Sequence, residues 1–239
     1  GEPRHIDTKI AGTTRDSIHT RYNKFSKDFL IIDTAGMRKK RMVEENLEFY
    51  SVIRTVKAIE DSDVCMLMLD ATTGLESQDL SILQLALRRS KGIVIVVNKW
   101  DLIEKETNTA RDFEQVIRQK MAPFTDVPIL FISVYDKQRI YKAIEIALQV
   151  AENRARKIPT SQLNDLIEAA INKQPHPSFR GHLIKIKYGT QLPVPFPAFA
   201  MFCNYPEEVK TNYRNFLENQ IREAFQFTGS PIRIYFRQK

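Results

Sequence analysis

The chain has 239 residues, 43% of them hydrophobic, and carries 36 Lys and Arg against 29 Asp and Glu, a formal net charge of +7. That length supports one large domain or two modest ones with separate cores, and no apolar run approaches the roughly 20 residues that span a bilayer. The moderate positive excess suits contact with phosphate backbones without requiring it.

No charged segment leads into an apolar stretch with a small-residue cleavage site, so a cytoplasmic protein with no membrane partner is expected. Cys65 and Cys203 lie inside apolar runs with no disulfide or metal spacing, and both are expected to be reduced core thiols. Taken from the start, "DSIHTRYNKF" alternates loosely and "DFLIIDTAG" reads as a buried strand. Ser26, Lys27 and Asp28 form the turn between them, which predicts an antiparallel hairpin. Beyond it, helix-period segments at 47–61, 77–90, 109–122 and 138–155 alternate with apolar runs at 63–70, 93–98 and 128–133. This is the pattern of βαβ crossovers on a parallel sheet, where ligands bind at the carboxyl ends of the strands.

Pro159 interrupts the helical pattern, and Thr160 or Ser161 is placed to cap a new helix, so a domain boundary is expected between residues 158 and 159. The remainder predicts a helix at 161–173, a strand in "HLIKIKYG", a stiff connection in "LPVPFP", a strand in "AFAMFCNY", a long helix at 206–226 and a strand in "PIRIYFR". Val209, Tyr213, Phe216, Leu217, Ile221 and Phe225 recur at three- and four-residue spacing and form one apolar face. The expected result is a small α+β sandwich. Phe199, Phe202, Phe216 and Phe225 fall at core positions rather than on a stacking platform. From residue 159 onward ten Lys or Arg face six Asp or Glu, which slightly favours a nucleic-acid surface. The four histidines are scattered, and His176, between two prolines, is expected to meet solvent.

The chemistry concentrates at strand ends. "IVIVVNKWD" stops abruptly at Asn98, Lys99, Trp100 and Asp101. A carboxylate at Asp101 can accept hydrogen bonds from both N1–H and the exocyclic amine of guanine. Adenine, with an acceptor at N1, leaves that carboxylate unpaired and is rejected. Asn98 is expected to brace the loop, and the aliphatic stem of Lys99 to lie along the purine. Asp33 ends another apolar run with Gly36 three residues on, a pairing suited to water-mediated Mg²⁺ and close approach of backbone to a γ-phosphate. Thr13 and Thr14 precede the hairpin and offer hydroxyl ligands for Mg²⁺. Ser133 and the backbone of Val134, in "FISVYD", are placed to meet the guanine carbonyl.

Four such elements in this order resemble the P-loop GTPases of the translation-factor class. More specifically, "AGTTRDS", "DTAGMRKK", "EFYSVIRTVKAIEDSDV", "VNKWDL" and "YRNFLENQIREAFQFTGSPIRIYFR" are similar to the second GTPase domain and terminal KH-like domain of the tandem-GTPase ribosome-assembly factors of the EngA/Der family. The resemblance implies a P-loop GTPase-type, mostly parallel α/β sheet over 1–158 and a three-stranded α+β KH-like domain over 159–239. It also implies GTP hydrolysis coupled to large (50S) subunit assembly, with GTP, GDP and the rRNA of the large subunit as partners. The implied GTP contacts are Asp33, Thr34, Ala35, Gly36, Met37, Asn98, Lys99, Trp100, Asp101, Ser133 and Val134. Thr14 and Asp33 would serve Mg²⁺, and K⁺ near the phosphates would assist.

The resemblance has gaps. None of the eight glycines opens a G-x-x-x-x-G-K-[ST] phosphate loop. In the family that loop, the first strand of this domain and a preceding GTPase domain come before the point where this chain begins, so a C-terminal portion with weak nucleotide binding of its own is expected. The absent strand would run between those ending at Asp33 and Asp70. Met37 stands where Ras-like enzymes carry a water-orienting glutamine, and a thioether cannot orient water; no catalytic residue is assigned. Arg38, Lys39, Lys40 and Arg41 form a cationic loop suited either to rRNA or to solvent. The second domain lacks the G-x-x-G loop of RNA-clamping KH modules, which disfavours a single-G-domain Era-like relative. A nucleotide-independent RNA- or ribosome-binding module is the remaining alternative.

Overall fold

Alternating apolar runs and helical stretches do produce a parallel sheet. The structure is a computed structural model that describes residues 18–24, 27–33, 55–178 and 181–238. It divides into two units, Gly1–Ser62 and Asp63–Lys239. In the first, β1 (Ile18–Lys24) and β2 (Lys27–Asp33) pair antiparallel, Ile18 opposite Asp33, and residues 55–61 are helical (α1). The second strand takes in Lys27 and Asp28, which the sequence assigns to the turn, and Arg21 holds Asp28 across the hairpin through its guanidinium. The expected burial of "DFLIID" is not met: Leu30 is 60% exposed and Ile31 is also exposed. A hairpin with no third strand among the described residues cannot cover both faces of either strand.

In the second unit β3 (Val64–Asp70), β4 (Gly92–Asn98) and β5 (Ile129–Phe131) form a parallel sheet in that order. The central strand, "GIVIVVN", is buried on both faces, as a parallel strand between helical layers must be. Val94 and Val96 pack on Ala143 and Val150 of α4 (Ile140–Ala155), and α2 (Ser77–Arg88) also packs on β3 and β4. The edge strand departs from the expected buried run, because Met66 and Met68 stand exposed where neither a further strand nor a helix covers them among the described residues. α3 (Thr109–Met121) reaches β5 through Phe113, whose ring meets Phe131 edge-on at 5.9 Å.

The third sheet has the order β6 (Ile186–Gln191), β7 (Ala198–Cys203), β8 (Arg233–Gln238), antiparallel then parallel. It is covered by α5 (Thr160–Lys173) and α6 (Thr211–Phe225), whose Leu163, Ile167, Tyr213, Leu217 and Ile221 enclose Phe199 and Met201. Four local expectations change. Pro159, not Thr160 or Ser161, occupies the N-cap of α5, since its fixed φ suits the entry to a helix. The long helix breaks into a 3₁₀ turn, Pro206–Glu208, and α6, because Val209 is extended. Strand β6 starts at Ile186 rather than His182. His176 is buried: its ring meets Tyr213 edge-on at 4.7 Å, Nδ1 lies 2.6 Å from the Pro177 carbonyl, and Nε2 accepts from Lys210 N–H at 3.4 Å. Burial raises the pKa of both the Cys203 thiol and the Tyr213 phenol, keeping each neutral in this core. Cys203 is a free, buried thiol as expected, whereas Cys65 is only half-buried.

The α/β and α+β layers meet along a polar seam. Gly229 N–H donates to Asp126 O at 2.8 Å, and Gly229 O accepts from Ile93 N–H at 2.7 Å, beside the start of β4. Asn153 Nδ2 donates to Thr228 O, and the buried Arg222 donates across the seam to Asp126 Oδ2 at 3.4 Å and on its own side to Phe227 O and Ser230 O. Gly229 has a φ of +76°, and a Cβ there would lie 2.5 Å from Val150 Cγ2 and 3.0 Å from Ile93 O. Left-handed strain of ~1–2 kcal/mol adds to an overpacking cost of ~1–3 kcal/mol. Gly229→Ala is therefore expected to lower stability by about 3 kcal/mol in urea unfolding, and Val150→Ala in the same chain to restore only the steric share. A Gly229→Ala chain with an unchanged midpoint would show that the seam yields.

Candidate functional site

The carboxyl ends of β3, β4 and β5 converge. Asn98, the last residue of β4, uses its backbone carbonyl to accept Ala71 N–H at 2.9 Å and its side-chain Oδ1 to accept Val134 N–H at 3.1 Å. One residue thus ties the loop after β3 to the loop after β5, which is the bracing expected of it. The same bond engages the Val134 N–H, the group expected to face a guanine carbonyl. Ser133 is fully buried; its Oγ accepts Asp136 N–H at 3.0 Å, and its backbone pairs with Gln138.

Lys99 turns the chain. Its backbone is left-handed, φ 63°, and its Nζ lies 2.7 Å from Asp70 Oδ2. The Asp70 side chain is only 7% exposed, and its other oxygen accepts Thr72 N–H at 3.0 Å and Thr72 Oγ–H at 2.7 Å. Asp70 and Thr72 are absent from the sequence-level site. The signal was present, since Asp70 ends an apolar strand as Asp33 and Asn98 do, but a terminal aspartate alone does not distinguish a loop anchor from a ligand. Trp100 N–H donates to Ile132 O at 3.1 Å, and the indole packs on Phe131 at 4.3 Å and edge-on to Phe113 at 5.7 Å. Its ring thereby anchors the 3₁₀ turn Trp100–Leu102 to the sheet.

Asp101 sits in that turn. Its Oδ1 is buried and accepts no hydrogen bond among the described residues. A buried carboxylate oxygen without a donor costs roughly 1–3 kcal/mol, so the position suits a ligand that brings donors with it. Asp33, in the first unit, ends β2 with an exposed carboxylate. Thr13, Thr14, Thr34, Ala35, Gly36 and Met37, with the cationic segment Arg38–Arg41, lie outside the described residues. No cluster of three or more His, Cys, Asp or Glu that could hold a metal occurs among the described residues.

The G-x-x-G question also has a structural answer. Gly189 lies inside β6, where Asn164 of α5 pairs with both its N–H (2.7 Å) and its carbonyl (3.0 Å), and a Cβ would meet Ile167 Cδ1 at 2.5 Å. This glycine admits a helix to a strand rather than RNA to a loop.

Asn-Lys-Trp-Asp at the end of the central parallel strand, braced to its neighbours' loops, together with the appended three-stranded α+β layer, defines a GTPase-type α/β fold followed by a KH-like fold. Residues 1–99 match a family model described as a 50S ribosome-binding GTPase, and residues 157–237 match the C-terminal KH-domain-like region of EngA bacterial GTPase enzymes. The chain belongs to the EngA/Der GTPase family. It is 56% identical to GTPase Der of Christiangramia forsetii over 239 residues, covering 100% of this chain and 55% of that protein. GTPase Der of Flavobacterium johnsoniae is 52% identical over the same span, again 55% of its length. The chain thus spans about half the length of the curated relatives it matches. Among solved structures, Era of Aquifex aeolicus bound to GDP and AlF4⁻ is 18% identical with a TM-score of 0.48, covering 96% of this chain and 83% of that one.

The Asp70 cluster makes a prediction about the loop. Asp70→Ala strips Thr72 of its acceptor and Lys99 of its partner, and is expected to cost about 2 kcal/mol in urea unfolding. Lys99→Gly removes the half-exposed cation from a buried carboxylate that keeps both Thr72 bonds, and relieves ~1–2 kcal/mol of left-handed strain, so its loss is expected to be smaller than that of Asp70→Ala. A larger loss for Lys99→Gly than for Asp70→Ala would reverse this order of importance.

Proposed function

We propose that the chain is part of a cytoplasmic GTP-binding and GTP-hydrolysing ribosome-biogenesis factor that acts in assembly of the large (50S) ribosomal subunit. Residues 1–158 form the GTPase domain and 159–239 the KH-like domain, with a further GTPase domain in the same protein. The observation that carries this reading is the buried, unpartnered Oδ1 of Asp101 at the mouth of a loop held by Asn98 and Val134. Family membership and the description of the matched model, a 50S ribosome-binding GTPase, support the rest.

In this mechanism Asp101 accepts N1–H and the exocyclic amine of guanine, and the exposed half of Lys99 covers the base while its ammonium stays on Asp70. Asn98, Ser133 and Val134 fix the loop behind the base, and Trp100 holds the turn to the sheet. Asp33, Thr34, Ala35, Gly36 and Met37 face the phosphates. Thr14 and Asp33 would hold Mg²⁺, an ion that proteins bind through few side chains rather than a closed cage. The exposed Asp33 carboxylate at a strand end, with no cluster of three or more metal-binding side chains among the described residues, fits that ion. Mg²⁺, joined by K⁺ where a glutamine is lacking, would supply positive charge against the nucleotide phosphates. The partners are GTP, GDP and large-subunit rRNA.

The base assignment is tested by nucleotide titration of Asp101→Asn in the intact protein. Asparagine keeps one acceptor for N1–H and presents a donor where xanthine, unlike guanine, has a carbonyl. GTP affinity is expected to fall by about 100-fold, equivalent to ~3 kcal/mol, with a comparable gain for xanthosine triphosphate. Unaltered guanine selectivity would remove Asp101 from the site and leave a nucleotide-independent scaffold.

A further inference from the structure

A second concavity lies on the α+β side of the seam, between the end of α2 and the edge of β8. Its volume is about 370 Å³, and its walls include Arg88, Arg89, Arg214 and Arg233 with Phe196 and Tyr235. No carboxylate lines it. These residues come from α2, the residue after it, α6, β8 and the proline-rich connection, so four arginines converge from separate parts of the chain.

The structural role of one arginine is plain. Arg233 donates to Leu87 O at 2.7 Å, Arg88 O at 3.2 Å and Ser90 Oγ at 3.1 Å, closing the last carbonyls of α2. A helix C-terminus carries the equivalent of about half a negative charge, which one guanidinium already balances. Arg88, Arg89 and Arg214 are exposed and add further positive charge to the same hollow, with Arg214 set 5.6 Å from the Phe236 ring centroid. Like charges brought together this way are stabilised by an anion, and guanidinium forks match phosphate oxygens in geometry. Tyr235 is 44% exposed at the same hollow and offers a flat face. A base can stack there, whereas an acidic peptide has no use for it. The size falls at the lower end of the ~300–1,000 Å³ of small-ligand sites, enough for one nucleotide unit and too narrow for a duplex.

We propose that this cavity binds single-stranded RNA, with a phosphodiester held by Arg88 and Arg214 and a base stacked on Tyr235. The inference rests on the rRNA partner proposed above and gives that contact a place, at the junction of the two folds and not at a KH-type glycine loop.

The test is fluorescence anisotropy of a labelled single-stranded oligouridylate on the intact protein across a salt series. Arg88→Gln/Arg214→Gln is expected to flatten the slope of log K against log salt by about 1.4, or ~0.7 per lost phosphate contact. Tyr235→Leu is expected to weaken binding by about tenfold and leave the slope unchanged. Arg233 is untouched and the altered side chains are exposed, so unchanged urea midpoints are expected in all variants. Tight RNA binding with the same slope and affinity in every variant would overturn the cavity while leaving the rRNA partner in place. No binding by the unaltered protein would overturn both. Displacement of RNA by polyglutamate, with Tyr235→Leu silent, would overturn RNA in favour of an acidic protein partner.

Discussion

The hydrogen bond from Val134 N–H to the Asn98 side chain is the contact on which the site depends. Asn98 stands at the end of a strand whose residues are almost completely removed from water, so its backbone cannot shift without disturbing both layers of the sheet. From that fixed point it reaches one loop through its carbonyl and another through its amide. Three βα connections become a single platform, and the turn bearing Asp101 grows from it. The buried oxygen of Asp101 stays out of water because the platform is rigid; in a loose loop the carboxylate would swing into water.

Rigidity of this kind has a local cost that the surrounding residues offset. Lys99 is held left-handed, a conformation that disfavours any residue with a Cβ, and a glycine would relax it. Lysine is nevertheless what the chain carries, and its ammonium reaches the buried Asp70. The pair of Thr72 bonds on the other oxygen of Asp70 keeps that carboxylate oriented. Backbone strain, a buried charge and a threonine thus form one small assembly beside the turn that carries Asp101, in keeping with the tendency of strained geometry to gather at binding loops.

Much of this was legible in the residues. The run from Ile93 to Asn98 could only be a doubly covered strand, and the asparagine, lysine and aspartate after it announced the loop's chemistry. The α+β layer was equally plain from the spacing of Tyr213, Leu217 and Ile221. What stayed hidden depended on contacts between distant segments. Nothing local told that Arg222 and Arg233 serve the seam, though they count toward the positive excess that suggested nucleic acid. His176 looked solvent-facing because its neighbours are prolines; Tyr213, 37 positions on, encloses it. Leu30, Met66 and Met68 read as core because apolar runs are ordinarily buried, and only the number of strands alongside them decides otherwise. Gly189 was noticed for lacking a motif partner, while its purpose, admitting α5, lay across the fold.

The Gly229 carbonyl and the Ile93 amide place the two ends of one strand under different management. At Ile93, near its start, β4 is pinned by a loop of the KH-like layer; five residues on, it presents Asn98. A strand of that length is a stiff rod of about 20 Å. Tension applied to the C-terminal layer would be transmitted along this rod to the loop that bears Asp101 directly, with no slack tether to absorb it.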